Sequence, residues 1–168
     1  MEQTSSKNAP QQVVPTCQIL AEDIKALGIS HVFGLMSDDT AVFATALDSS
    51  GVRFYGARHE NNAIAMAEGH AAATGELTIA LIGRGPATAN GLHAAVYASR
   101  TGAPLLIIYG DQPVPSAAAN TIGPDYKGFD AVGVLRASGI RTYQAVSCLL
   151  YTSPSPRDRT RSRMPSSA

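Results

Sequence analysis

The stretch Leu77-Thr78-Ile79-Ala80-Leu81-Ile82-Gly83-Arg84-Gly85-Pro86-Ala87-Thr88 changes character twice within twelve residues. Its first half is an apolar run closed by glycine, too short for a buried helix, and it reads as a strand covered on both faces. Gly83-Arg84-Gly85-Pro86 is a turn, and the pattern over residues 87–100 then predicts a helix. The same alternation continues on either side. Upstream, residues 16–27 predict a helix with Thr16 as N-cap and Gly28 as its stop, followed by a short strand, His31-Val32-Phe33-Gly34. A helix over 40–47, a strand over 52–57 and an alanine-rich helix over 61–74, ended by Gly75, complete that half. Downstream, 104–109 is the most apolar strand, 111–124 a long loop, 129–137 a short helix and 141–146 a last strand. Strands that alternate with helices and read as nearly continuous apolar runs give an α/β fold, a parallel sheet flanked by helices on both faces.

Composition narrows the function classes. The 168 residues carry 13 Lys+Arg and 13 Asp+Glu, a net charge of zero, which argues against nucleic acid or an anionic membrane as the main partner. That neutrality is a sum of unlike parts: residues 1–147 hold 9 basic and 12 acidic side chains, residues 148–168 hold 4 arginines and 1 aspartate. No apolar run approaches the length of a membrane span, and the polar start lacks the pattern of a secretory signal. Cys17 and Cys148 are too few and too far apart for a disulfide framework, and His31, His59, His70 and His93 have no metal-ligand spacing, so no metal site is expected. The expectation is a cytoplasmic protein with a loose leader over residues 1–15 and one domain over residues 16–147.

Two constellations could carry chemistry. The turn from Gly83 to Pro86 follows a strand and opens a helix, as a phosphate loop would, but the third glycine of a dinucleotide fingerprint is missing and Pro86 removes a backbone N–H donor. Its two glycines still allow a close backbone approach to a ligand. Arg58-His59-Glu60 stands at the carboxyl end of a strand, where open α/β sheets bind ligands, and all three residues are expected to be partly buried. Glu60 reads either as a helix-start carboxylate favoured by the helix dipole or as a functional group, and His59 as a structural histidine. The alanines of the third and fourth helices reflect either helix propensity or close packing at a subunit interface.

The ordered motifs between Thr16 and Asp111 resemble the N-terminal, pyrimidine-binding domain of thiamine diphosphate enzymes, the acetolactate synthase and benzoylformate decarboxylase group. Gly28 to Gly34 is similar to the family's Gly-Val-x-x-Val-Phe-Gly, Arg58-His59-Glu60 to its Arg-His-Glu, and Ala67 to Gly75 to its Ala-x-Gly-Tyr-Ala-Arg-x-Thr-Gly. Gly85 to Gly91 is similar to its Gly-Pro-Gly-x-x-Asn turn and Pro104 to Gly110 to its Pro-Leu-x-x-x-x-Gly strand. The chain departs from the family at Leu35-Met36-Ser37-Asp38-Asp39 (usually Leu-Pro-Gly), at Ala87 and at His70-Ala71-Ala72; the first two alter loops near the expected substrate and cofactor face and bear on substrate class more than on fold.

The resemblance implies that Glu60 is the catalytic carboxylate that hydrogen-bonds N1' of the cofactor's aminopyrimidine, favouring the tautomer that removes the thiazolium C2 proton. A carboxylate in an apolar cleft can share a proton in this way with a weak ring base. It further implies that Glu60, Gly83, Gly85, Pro86 and Asn90 bind the cofactor, with His93 a further candidate. The substrate would be a 2-oxo acid or acyl compound, and the enzyme a homo-oligomer. The family holds diphosphate and Mg²⁺ on a separate domain, through Gly-Asp-Gly and a later Asn pair. Here Gly110-Asp111 is followed by Gln112, so the chain is expected to be a fragment, inactive alone. Acetolactate synthases also use FAD, on which no residue here bears. Cys148 to Asp158 resembles a one-frame translation of a sequencing adapter, so residues 148–168 are expected to be a non-native tail; the alternative is a basic disordered tail. The other functional readings are a cofactor-free α/β binding or regulatory domain and a nucleotide-binding dehydrogenase piece, the latter disfavoured by Pro86.

Overall fold

The computed structural model describes residues 14–111 and 127–145. Residues 1–13 of the leader, the loop segment 112–126 and residues 146–168, with the whole tail, lie outside these described residues. In chain order the elements are α1 (Thr16–Ala26), β1 (His31–Gly34), α2 (Ala41–Ser49), β2 (Arg53–Gly56), α3 (Glu60–Thr74), β3 (Thr78–Ile82), α4 (Pro86–Thr101), β4 (Leu105–Tyr109) and α5 (Ala131–Ala137). The strands form one parallel sheet in the order β2-β1-β3-β4.

Alternation along each strand sorts its side chains between two apolar layers. Val32, Ile79 and Leu81 pack with Ile24 of α1 and Ala44 and Leu47 of α2. Phe33, Ala80 and Ile82 pack with Ala63, Ile64 and Ala67 of α3 and Ala94 and Ala95 of α4. Helices on both faces leave every residue of β3 buried, which is why that strand reads as an uninterrupted apolar run. Most of the third- and fourth-helix alanines are accounted for inside the chain. Ala63, Ala67, Ala71, Ala94, Ala95 and Ala98 are buried, whereas Ala65, Ala72 and Ala73 are exposed. Slim faces let α3 and α4 pack tightly, and Gly91 extends this: a Cβ there would lie 2.7 Å from Ile64 Cδ1.

Several expected boundaries move. Thr16 is the first helical residue and not the cap; Pro15 takes the N-cap position, its fixed backbone leading into the helix without a side-chain bond. Thr40 stands before α2, its buried hydroxyl accepting from Ser37 N–H at 3.0 Å and donating to the Leu35 carbonyl at 3.2 Å. Pro86 belongs to α4 as its first residue, where a missing N–H costs the helix nothing. Gly28 and Gly75 stop their helices with φ of +82° and +74°. Residues 141–145 form no strand: they are largely exposed, Tyr143 included, and residue 146 of the expected strand lies outside the described residues. Among the described residues no helix is long and apolar enough to cross a membrane.

Candidate functional site

The strand order reverses direction between β1 and β3: the chain leaves β1 for β2 on one side and β3 for β4 on the other. Loops that diverge in this way open a crevice at the carboxyl ends of the strands, the general ligand position in such sheets. Here the crevice is a cleft of about 310 Å³ whose lining includes Ser37, Asp39, Glu60, Arg84, Asn90 and Lys127. Gly83 and Pro86 line it as well. Gly85 is buried in the same turn, with φ +69°, a conformation that side chains rarely adopt, and the Lys127 carbonyl lies where its Cβ would be. His93 is exposed and does not line the cleft.

Glu60 is the first residue of α3, directly after the β2 loop. His59 caps the helix, its Nδ1 accepting from Asn61 N–H at 3.2 Å, so that histidine is structural. Arg58 and His59 are exposed, against the expectation of partial burial, because the loop turns them to solvent while α3 packs Glu60 inward. Glu60 itself is only 9% exposed. Asn90, one turn into α4, donates from Nδ2 to Glu60 Oε2 at 3.2 Å. Asn61 Oδ1 accepts from Ala94 N–H at 2.9 Å, so two polar links join the helices beside the Gly91 contact. The helix-start and functional readings of Glu60 are thus compatible: the residue opens α3, and packing aims the group at the cleft.

The acidic loop after β1 brings in residues that sequence reading had not assigned to the site. Asp39 Oδ2 accepts from Arg84 N–H at 2.5 Å, and Oδ1 accepts from Lys127 Nζ at 2.9 Å. Lys127 also pairs with Asp38. Partial burial pushes the Asp39 carboxyl up, but hydrogen bonds from Lys127 and Arg84 N–H outweigh it and hold the group well below the usual carboxylate range. The Lys127 ammonium is raised by its bonds to Asp38 and Asp39. The departure at residues 36–39 was the only sequence signal for this arrangement; nothing marked Lys127, which lies 88 residues from Asp39. With Arg84 N–H given to a carboxylate and Pro86 lacking an N–H, the turn is a poor phosphate cradle.

The chain has relatives among known proteins. The acetolactate synthase large subunit IlvG of Mycobacterium tuberculosis is 30% identical over 109 residues, 65% of this chain and 20% of that protein. The sulfoacetaldehyde acetyltransferase of Roseovarius nubinhibens is 27% identical over 122 residues, 73% of this chain and 19% of that protein. A solved structure described as that of a thiamin diphosphate-dependent enzyme from Mycobacterium smegmatis superposes with a TM-score of 0.56 at 26% identity, covering 64% of this chain and 21% of that one. The chain therefore spans about a fifth of the length of the curated relatives it matches. Residues 16–134, from the start of α1 into α5, match the family model of the thiamine pyrophosphate enzyme, N-terminal TPP binding domain, and the chain belongs to that family.

Proposed function

We propose that residues 16–147 form the pyrimidine-binding domain of a thiamine diphosphate-dependent lyase or transferase acting on a 2-oxo acid or acyl substrate, with Glu60 activating the cofactor. The observation that carries this reading is a buried carboxylate at the switch-point cleft, one oxygen held by Asn90 and the other, Oε1, without a hydrogen-bond partner among the described residues. Such a group fits an aminopyrimidine, a weak ring base that presents nitrogen to a carboxyl. When bound, thiamine diphosphate supplies an electron sink for making or breaking a bond beside a carbonyl. Glu60 holds or shares the proton at the ring nitrogen, and the Asn90 amide fixes the carboxylate's orientation. Gly83, Gly85 and Pro86 offer a backbone wall with little side chain in the way. The apolar layer behind Glu60, including Ile64, excludes water from its inner side.

Diphosphate and Mg²⁺ are held by a further domain in a homo-oligomeric, cytoplasmic enzyme, and this chain alone turns over nothing. The decisive experiment is Glu60→Gln in the enzyme assembled with its diphosphate-binding domain. Hydrogen–deuterium exchange at the cofactor's C2, followed by NMR, is expected to fall by at least about a hundredfold, the scale of a lost general acid–base group, with the fold unchanged by circular dichroism. Near-normal exchange in that variant overturns the assignment.

A further inference from the structure

We infer that Asp39 is a positioning residue: its carboxylate sets the turn over residues 83–86 and, through the start of α4, the Asn90–Glu60 pair. The inference rests on reading Glu60 as the activating carboxylate and adds what holds that group in place. The loop that carries Asp39 is itself anchored, because Thr40 is buried and binds both Ser37 N–H and the Leu35 carbonyl. Asp39 has a side chain only 16% exposed. From there one carboxylate ties its own loop to two segments remote in sequence. Its Oδ2 takes Arg84 N–H at 2.5 Å, and its Oδ1 takes Ser37 Oγ at 3.1 Å and Lys127 Nζ at 2.9 Å.

The surrounding backbone is shaped around this side chain. A Cβ on Gly110, just past β4, would lie 2.6 Å from Asp39 Oδ2 and 3.0 Å from Arg84 N. A Cβ on Gly83, just past β3, would lie 3.0 Å from Ser37 Oγ and 3.4 Å from Asp39 Oδ2. Two glycines at the ends of two strands thus clear the volume for one carboxylate. On the turn's other side Gly85 lets the Lys127 backbone close in, so the turn is gripped from both directions. Pro86 then starts α4 with a fixed φ, and Asn90 follows one turn later with its amide on Glu60. A shift of the turn is therefore a shift of Asn90. The low proton affinity of Asp39 keeps the acceptor charged at neutral pH.

The test uses the full 168-residue chain, isotope-labelled for NMR, with Asp39→Ala and Asp39→Asn. Asp39→Ala is expected to speed amide exchange at Arg84 by about tenfold or more, as for loss of a hydrogen bond to a charged acceptor, and to shift the Asn90 side-chain amide resonances. Asp39→Asn, which keeps an acceptor without the charge, gives a smaller rise in the same direction. Val32 and Ile79, amides of the sheet interior, exchange as in the unaltered chain. If Asp39→Ala does not fold, Asp39→Asn against the unaltered chain carries the comparison. Unchanged exchange at Arg84, an unmoved Asn90 amide, or equal acceleration at Val32 and Ile79 each overturns the inference, the last because it reports only global destabilisation. Glu60 is intact in these variants, so the two failures are distinguishable: a null result for Glu60→Gln leaves the Arg84 and Asn90 readouts as they are, whereas an unmoved Asn90 removes the role of Asp39 whatever Glu60 does.

Discussion

Gly91 sits in the middle of α4, where glycine is normally a weakness. Replacing it by alanine in a solvent-facing helix should stabilise the fold by about 1 kcal/mol through reduced backbone entropy. Here the new Cβ would lie 2.7 Å from Ile64 Cδ1 and 3.6 Å from Glu60 Cβ. Ile64 is fully buried in the apolar layer of α3 and α4, so its terminal methyl can give way only by displacing packed neighbours, and overpacking of this kind costs about 1–3 kcal/mol. The clash outweighs the propensity gain, and Gly91→Ala is expected to destabilise by about 1 kcal/mol. Ile64→Val removes the offending methyl at a cost of its own of about 0.5–1.5 kcal/mol. In that background Gly91→Ala should change sign and stabilise, giving a coupling of about 2 kcal/mol between the sites. Urea unfolding of the four proteins, followed by circular dichroism, measures the cycle. A stabilising Gly91→Ala in the unaltered chain, or additive effects within about 0.5 kcal/mol, would refute the claim that close contact of α3 and α4 dictates this glycine.

Two further outcomes are expected. Leu47→Ala should destabilise by about 2–5 kcal/mol in the same unfolding assay, because Leu47 is fully buried where α2 meets the sheet and its loss leaves a cavity. The dependence on pH has a definite sign. Asp39 is lowered in the folded state, so its stabilising contribution is complete above the unfolded aspartate value near about 4 and is lost as pH falls through the lower folded value. Lys127 is raised, so its contribution persists to beyond the ordinary lysine range and is lost only as pH rises through the folded value. Unfolding midpoints measured from acid to neutral pH should show an acid decline that flattens in Asp39→Asn; an identical decline in both proteins would contradict the assignment.

The α/β class and the four strands and five helices of the described residues were legible because each rests on a local signal. Val32 to Gly34 and Ile79 to Ile82 are apolar runs of strand length, and Gly28 and Gly75 mark turns by a backbone conformation that other residues avoid. Arg58-His59-Glu60 and the turn before α4 could be singled out the same way, since motif spacing records which residues stand at strand ends. Local signals put the cap at Thr16 and began the second helix at Thr40, whereas Pro15 takes the first cap position and Thr40 the second, its hydroxyl turned back to the Leu35 carbonyl. They also misread residues 141–145, which stay largely exposed and join neither edge of the sheet.

What the sequence determined by itself is the order of elements and the identity of the family's motifs, because helix and strand periodicity are written over a few consecutive residues. The tertiary structure alone decided the rest. It placed Asn90 on Glu60 across 30 residues, gave Gly91 its reason in the Ile64 side chain, and joined Asp39, Arg84 and Lys127 at one cleft. These contacts depend on the distance between segments that never neighbour one another along the chain. Only the sheet, by setting which loops diverge at the switch point, brings them together.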